Sequence, residues 1–219
     1  MSRIKGFIFD MDGVLTDTEH RWSTAMQEVC SAHGGTFTHE MKMAMIGMST
    51  PEWSAFMVEH MGVQLPPTAV AEAVEVRVLE LYDEHLPLVP GSIDAVKRLS
   101  ESFAVAIASS SALRVIERSV RIMGIEDLLT ATVSSQEVAR GKPSPDVYLE
   151  AVRRLGLAPS ECAAIEDSSS GMHAAHAAGL ATLGFPHADF PAATDALALC
   201  DRVLSSMDEL TAELVAGLR

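Results

Sequence analysis

The sequence has few cysteines, a deficit of basic residues and no long apolar run. Its three cysteines, Cys30, Cys162 and Cys200, lie far apart in a chain of 219 residues. An odd and scattered set of this kind predicts no disulfide framework. No apolar run reaches the roughly 20 residues that a membrane-spanning helix needs. The predicted first strand begins by residue 6, which leaves no room for a signal peptide, so we expect a cytoplasmic protein.

The charge balance is strongly acidic. Lysine and arginine number 16 against 30 aspartates and glutamates, which gives a formal net charge of −14. Nucleic acids and anionic membranes attract basic surfaces, so we expect neither as a partner. Because the protein itself is acidic, its site for a small anionic substrate would have to supply a cation. The length allows one large domain or two small ones, and we expect a monomer or a weak homo-oligomer.

The strongest chemical signal lies close to the start of the chain. The apolar residues 6–9 read as a buried strand, and they are followed by Asp10, Asp12 and Gly13. Residues two apart in an extended chain point to the same side, and open α/β sheets bind ligands where their strands end. Two neighbouring carboxylates repel each other, which implies a compensating cation. The alternative is an ordinary pair of solvated turn residues.

The remaining pattern predicts two kinds of structure. Residues 17–86 show helical spacing of apolar residues and no strand signal. From residue 89 onward, apolar strands alternate with helices, which predicts a parallel sheet covered on both faces. Strands are predicted at 103–108, 130–134, 162–165, 181–185 and 202–205, with helices at 112–123, 144–156, 169–178 and from Asp208. We therefore expect a doubly wound α/β core, residues 1–15 and 89–219, with an all-helical insert, residues 16–88.

Three later stretches place polar residues near the ends of predicted strands. In the run Ser109-Ser110-Ser111, a hydroxyl at the strand end with backbone N–H groups behind it could bind a phosphate, and the alternative is that one of these serines is only a helix N-cap. Lys142 stands between glycine and proline, which favours a rigid turn that holds the lysine in place. The alternative is an ordinary solvated surface charge. The helix dipole alone favours acids such as Glu166 and Asp167 at a helix start, but hard oxygen ligands also suit Mg²⁺. Each stretch fits a phosphate or metal site and has an ordinary structural explanation beside it.

Together these stretches resemble the motifs of the haloacid dehalogenase (HAD) superfamily. Motif one corresponds to Asp-x-Asp-Gly-Val-Leu-x-Asp at residues 10–17, and the later motifs correspond to residues 107–111, 141–146 and 165–171. The matches occur in the expected order and cover nearly the whole chain. The resemblance implies a Rossmann-like core, and the insert has the position of the helical cap in the branch of β-phosphoglucomutases and sugar-phosphate phosphatases. It also implies a phosphatase acting on a small phosphorylated metabolite, and we expect a sugar or polyol phosphate.

The resemblance assigns catalytic and phosphate-binding roles to five residues. It implies that Asp10 attacks phosphorus and forms an aspartyl phosphate, a known use of carboxylate nucleophiles. It implies that Asp12 protonates the leaving oxygen and then deprotonates water. The transferring group would be held by Ser109, the backbone N–H of Ser110, and Lys142.

The resemblance also implies a Mg²⁺ site. Its ligands would be the side chains of Asp10 and Asp167 and the carbonyl oxygen of Asp12, with Glu166 supporting Asp167 or its waters. Four acidic residues face one lysine, Lys142, so a phosphate dianion could not enter without a metal ion. One Mg²⁺ makes this balance tolerable and polarises the phosphoryl oxygens.

Substrate contacts are expected from the cap, by resemblance at Trp22 and at the loop of Gly47, Met48 and Ser49. Met48 belongs to a methionine-rich segment, for which flexible core filler is the alternative interpretation. β-Phosphoglucomutases usually carry an arginine after this loop, where the chain has Thr50, and a histidine at the position of Trp22. The cap therefore resembles that of the sugar phosphatases more closely.

Three other functions compete with phosphatase activity. A phosphomutase of the β-phosphoglucomutase type is the close alternative. A haloacid dehalogenase is disfavoured, because those relatives lack the second aspartate of motif one, here Asp12. A non-enzymatic phospho-acceptor domain, like a bacterial receiver, is more distant, because receivers are shorter and have no helical insert.

Overall fold

The computed structural model describes residues 4–45, 48–187 and 191–218. The chain divides into two compact units, Met1–Asp17 with Leu88–Arg219, and Thr18–Pro87. The predicted boundaries lie between residues 15 and 16 and between residues 88 and 89. Across the described ranges, none of the helices combines the length and apolar character required to cross a membrane.

The unit Thr18–Pro87 is helical throughout its described secondary structure, as predicted. Its helices are α1 Glu19–Ala32, α2 His39–Met45, α3 Thr50–Met61 and α4 Pro67–Glu84. Helix α4 packs against both α1 and α3. Its residues Val70, Val74 and Val78 recur at four-residue spacing and are completely buried, so they form the apolar stripe that joins these helices.

The sequence around helix α3 accounts for its start and its end. The carboxylate of Glu52 accepts a hydrogen bond from the backbone N–H of Ser49 at 2.7 Å, and Ser49 is the N-cap residue. Pro51 lies in the first turn, where a missing N–H costs nothing. The helix ends at Met61 and is followed by the C-cap residue Gly62, whose φ of 77° lies in the left-handed region that glycine adopts readily.

The unit Met1–Asp17 with Leu88–Arg219 contains a six-stranded parallel sheet. The strands are β1 Gly6–Phe9, β2 Ala104–Ser109, β3 Ala131–Ser134, β4 Cys162–Glu166, β5 Ala181–Gly184 and β6 Arg202–Val203, in the order β3-β2-β1-β4-β5-β6. The connecting helices are α5 Ser92–Ser100, α6 Leu113–Met123, α7 Asp146–Leu155, α8 Ser169–Ala177 and α9 Thr194–Leu197, followed by α10 Ala212–Ala216. The predicted doubly wound, Rossmann-like α/β fold is confirmed.

Both faces of the central strands are buried. Ile8 and its neighbours Ala106 and Ala164 pack with the apolar sides of α7 and α8. Successive strand residues alternate in direction, so Phe7 and Phe9 lie on the opposite face, and neither is exposed. This explains why the strands are continuous apolar runs rather than alternating ones.

The C-terminal segment differs from the prediction of a helix beginning at Asp208. A 3₁₀ helix, Met207–Glu209, occupies that position, and α10 begins only at Ala212. The reason is local, because the Glu209 carboxylate accepts hydrogen bonds from the backbone N–H groups of residues 205 and 206 and closes a single turn. Other short 3₁₀ helices are Glu126–Leu128, Ser135–Glu137 and Pro159–Glu161.

Candidate active site

The carboxyl edge of the sheet brings together polar residues from three neighbouring strands. Asp10 directly follows β1, Ser109 ends β2 and Glu166 ends β4. β1 lies between the other two strands. The chain adds β2 and β3 on one side of β1 and then β4, β5 and β6 on the other side, so the strand order reverses between β1 and β4. Open α/β sheets bind ligands at such a switch point.

Lys142 is buried between two carboxyl groups at this edge. Its Nζ donates to Asp10 Oδ1 at 2.5 Å, to Glu166 Oε1 at 2.6 Å and to the Ala108 carbonyl oxygen at 3.1 Å. Only 4% of the lysine side chain is exposed. The interpretation of Lys142 as a solvated surface charge is therefore wrong.

Glu166 is the most heavily hydrogen-bonded of these acids. Besides Lys142, its Oε1 accepts from the Tyr148 hydroxyl at 2.6 Å, and its Oε2 accepts from Ser168 Oγ at 3.0 Å. A Cβ added at Gly171 would lie 1.9 Å from the Glu166 carboxylate, so only glycine permits α8 to pass there. Glu166 thus connects Lys142 to Ser168, the N-cap residue of α8.

Three carboxyl groups in this site suit a divalent cation. Ligand oxygens of Asp10, Glu166 and Asp167 all lie within 4.8 Å of one another. The loop after β1 approaches so closely that a Cβ at Gly13, where φ is 86°, would lie 2.1 Å from Asp167 Oδ2. Hard carboxylate oxygens are the ligands that Mg²⁺ prefers, so the residues present fit a Mg²⁺ site.

The electrostatic balance confirms that the cluster lacks positive charge. Burial raises the pKa of Asp10 to about 8, although the adjacent Lys142 opposes this shift. Burial, together with the neighbouring Asp10 and Glu166, raises the pKa of Asp167 well above its usual range. Burial alone would lower the pKa of Lys142, but the two carboxylates outweigh it and the pKa is raised. One ammonium group does not balance three carboxylates in a buried site.

Asp12 has a different partner from Asp10. Its Oδ2 lies 2.7 Å from Ser111 Oγ, which is within hydrogen-bonding distance. The loop that carries Asp12 is closed by hydrogen bonds from the Gly13 N–H to the Thr16 carbonyl oxygen, at 2.7 Å, and from the Thr16 N–H to the Met11 carbonyl oxygen, at 3.0 Å. The Asp12 side chain does not belong to the metal-suited group found within the described ranges, and its carbonyl remains a predicted ligand.

The serines after β2 are not helix caps. Helix α6 begins at Leu113, and its N-cap residue is Ala112. Ser109 is buried, and its Oγ accepts a hydrogen bond from the Ser111 N–H at 3.0 Å. Ser110 is exposed at the same edge. The interpretation of one of these serines as the N-cap is therefore wrong, and the phosphate role of Ser109 stays a prediction.

The predicted substrate residues of the cap lie within the helical unit. Trp22 is on α1 and is partly exposed, as are Met48 and Ser49 before α3. Gly47 lies outside the described residues. The core-filler interpretation fits Met45, which is 6% exposed, better than it fits Met48. Their contact with a substrate stays a prediction.

Three residues that bond to the site acids were not among the predicted site residues. Tyr148 and Ser168 bind Glu166, and Ser111 binds Asp12. Tyr148 has the spacing of a core residue on an amphipathic helix, and serines after a strand are common turn residues. No local signal separates Tyr148 or Ser111 from ordinary residues, because their partners Glu166 and Asp12 are distant in sequence. Ser168 lies only two residues from Glu166, but it is also the N-cap residue of α8, and that role alone accounts for a serine at this position.

Comparison with known proteins identifies the family. The family model "haloacid dehalogenase-like hydrolase" matches residues 4–179. The chain is 32% identical to hexitol phosphatase B of Escherichia coli over 98% of each protein. It is also 32% identical to the fructose-1-phosphate phosphatase of that species, over 81% of this chain and 94% of the relative.

The fold is also similar to that of a solved structure. The crystal structure of CbbY from Rhodobacter sphaeroides in complex with phosphate has a TM-score of 0.85 and 29% identity, covering 94% of this chain and 96% of CbbY. The chain belongs to the haloacid dehalogenase-like hydrolase family. The predicted family and the predicted hydrolase class are confirmed.

Replacement of Tyr148 by phenylalanine tests the network around Glu166. The substitution keeps the ring and removes one donor from a buried carboxylate, which should lower the free energy of unfolding by about 1–3 kcal/mol. Urea denaturation of metal-free protein measures this change. The same substitution in a Glu166→Gln background should cost less, because the charged acceptor is gone. Equal costs in both backgrounds would contradict the assigned bond.

Proposed function

We propose that the protein is a Mg²⁺-dependent phosphatase that hydrolyses a small sugar or polyol phosphate through a phosphorylated Asp10. The observation that carries the proposal is the bridging position of Lys142 Nζ between Asp10 and Glu166, beside Asp167. An ammonium group there can neutralise the nucleophile and one phosphoryl oxygen. The hexitol and fructose-1-phosphate phosphatases among the relatives support this reaction class.

The first step transfers the phosphoryl group to Asp10. A carboxylate oxygen of Asp10 forms a bond to phosphorus while the bond from phosphorus to the alcohol oxygen breaks. The electron pair of that bond stays on the alcohol oxygen, which takes a proton from Asp12. The products are an aspartyl phosphate and the free alcohol.

The second step releases inorganic phosphate. Asp12, now ionised, removes a proton from water as the water oxygen attacks phosphorus. The bond from phosphorus to Asp10 breaks and the carboxylate is restored. Ser109, the Ser110 N–H and Lys142 hold the phosphoryl oxygens in both steps, because the transferred group keeps its position while its partners exchange.

The acidic group is where a Mg²⁺ ion would be held. Asp10, Asp167 and the Asp12 carbonyl would be its ligands, and Glu166 would hold its bonds to Lys142, Tyr148 and Ser168. When bound, the ion offsets the repulsion between these carboxylates and the phosphate dianion.

The substrate class rests on the relatives and on the cap sequence. Trp22, Gly47, Met48 and Ser49 are our proposed contacts to the part of the substrate beyond the phosphate. A phosphomutase needs a second phosphate grip in the cap, and Thr50 replaces the arginine that usually follows this loop in β-phosphoglucomutases. Hydrolysis is therefore the favoured reaction over isomerisation.

Phosphate release from a defined panel tests the function. We expect turnover of sorbitol 6-phosphate, mannitol 1-phosphate or fructose 1-phosphate with Mg²⁺. The Asp10→Asn variant should lose turnover below detection, because an amide does not form the phosphoenzyme, yet circular dichroism should show a folded protein. The exposed variant Asp127→Asn serves as a matched control and should retain full activity.

Two results would contradict the proposal. One is normal turnover by a verified Asp10→Asn sample. The other would come from β-glucose 1-phosphate supplied with a trace of glucose 1,6-bisphosphate. Rapid formation of glucose 6-phosphate with negligible release of phosphate would establish a mutase instead.

The pKa of Asp10 predicts how Mg²⁺ binding depends on pH. A carboxyl group with a pKa of about 8 carries a proton at pH 7 in metal-free protein, and Mg²⁺ binds only its ionised form. Binding must therefore release protons, and the apparent affinity should rise roughly tenfold per pH unit for each proton released between pH 6 and 8. Calorimetry in two buffers of different ionisation enthalpy counts these protons. An affinity independent of pH, or full turnover in excess EDTA, would rule out the assignment.

A further inference from the structure

Ser111 lies beside the residue that the proposed reaction uses twice. Its Oγ is 2.7 Å from Asp12 Oδ2, and the residue is 7% exposed. Ser111 is two residues beyond the end of β2, whereas Asp12 follows β1. The contact therefore joins two loops at the carboxyl edge of the sheet, and the roles that the resemblance assigns to the motif residues do not include it.

Ser111 is itself held by its backbone on both sides. Its N–H donates to Ser109 Oγ at 3.0 Å, and its carbonyl oxygen accepts from Ser134 Oγ at 2.7 Å. Ser134 ends β3, and its own N–H donates to the Glu137 carboxylate at 2.9 Å. These bonds fix the Cα of Ser111, so its hydroxyl has a defined position relative to Asp12.

A hydroxyl is chemically suited to a residue that alternates between acid and base. A serine hydroxyl can donate to an ionised carboxylate and can accept from a protonated one. A lysine or a backbone N–H could only donate, and would favour the ionised form alone. Ser111 can therefore keep one hydrogen bond to Asp12 through both halves of a reaction in which Asp12 loses and regains a proton.

We propose that Ser111 is a positioning residue for Asp12, holding its carboxyl group for proton transfer to the leaving oxygen and from water. This inference rests on the proposed function, because it requires Asp12 to be the general acid and base. It goes beyond that function because proton transfer then depends on a residue outside the proposed phosphate and metal ligands. A purely structural role would instead hold the loops together without affecting one chemical step more than another.

The dependence on the leaving group separates these two roles. An alkyl phosphate, such as a sugar or polyol phosphate, needs a proton on its leaving oxygen, whereas p-nitrophenyl phosphate expels a stable phenolate without one. The kcat/KM value includes only steps up to phosphoryl transfer, so it reports this proton transfer directly. The experiment compares kcat/KM for p-nitrophenyl phosphate with that for sorbitol 6-phosphate or fructose 1-phosphate, whichever the unmodified protein hydrolyses faster.

Four variants define the expected result. Asp12→Ala should lower kcat/KM for the alkyl phosphate by roughly 100- to 10,000-fold, with a much smaller loss for p-nitrophenyl phosphate. Ser111→Ala should show the same selectivity with a smaller loss. It should lower kcat/KM for the alkyl phosphate by about tenfold or more, because it removes only part of the contribution of Asp12. Ser111→Thr retains a hydroxyl and should restore most of the loss. Ser119→Ala is the matched control, because Ser119 is buried and its Oγ has no hydrogen-bond partner in the described part of the chain.

Each outcome decides the inference. Equal losses for both substrates, or no loss, in a folded Ser111→Ala variant would overturn it while leaving the phosphatase function intact. If the alanine variant does not fold, Ser111→Cys retains the volume with a weaker hydrogen bond and must show the same selective loss. Absence of phosphate release by the unmodified protein, or an Asp12→Ala variant without selectivity, would overturn the proposed function itself, and the inference with it.

Discussion

The excess of buried carboxyl groups over ammonium groups is the constraint on which this site depends. Asp10, Glu166 and Asp167 are gathered at one edge of the sheet, and Lys142 is the cation that bridges two of them. Such an arrangement is stable only with bound protons, a metal ion or both. The donors around Glu166 and the raised pKa of Asp10 are two consequences of the same imbalance.

The order of the strands explains why these acids meet. β1 is central and parallel to both of its neighbours, so the residues that follow β1, β2 and β4 emerge at the same edge. The chain supplies a nucleophile candidate, a hydroxyl and two acids from three segments, since Asp10 and Ser109 are 99 positions apart and Ser109 and Glu166 are 57 positions apart. Glycine at positions 13 and 171 allows the backbone to approach the carboxylates within distances that no Cβ would tolerate.

Much of this arrangement could be predicted from the sequence, because strands buried on both faces and capped helices leave strong local patterns. The prediction succeeded for β1 to β5 and for the helical insert. It failed at Asp208, where side-chain hydrogen bonds to the backbone close a 3₁₀ turn, and such bonds have no periodic signal. Tyr148 and Ser111 were missed for a related reason, since each is ordinary in its own segment and acquires meaning only from a partner across the fold. The proposed substrate contacts of the cap depend on side-chain shape, which a fold does not supply.

The central claim is that Asp10 carries the phosphoryl group. The most direct test is a rapid acid quench of the protein during turnover of a sugar phosphate labelled with radioactive phosphorus, followed by peptide mapping at low pH. We expect the label on the peptide that contains Asp10, sensitive to hydroxylamine as an acyl phosphate is, and absent from the Asp10→Asn variant. Turnover with no labelled protein at any quench time, or label on a peptide that does not contain Asp10, would contradict the account.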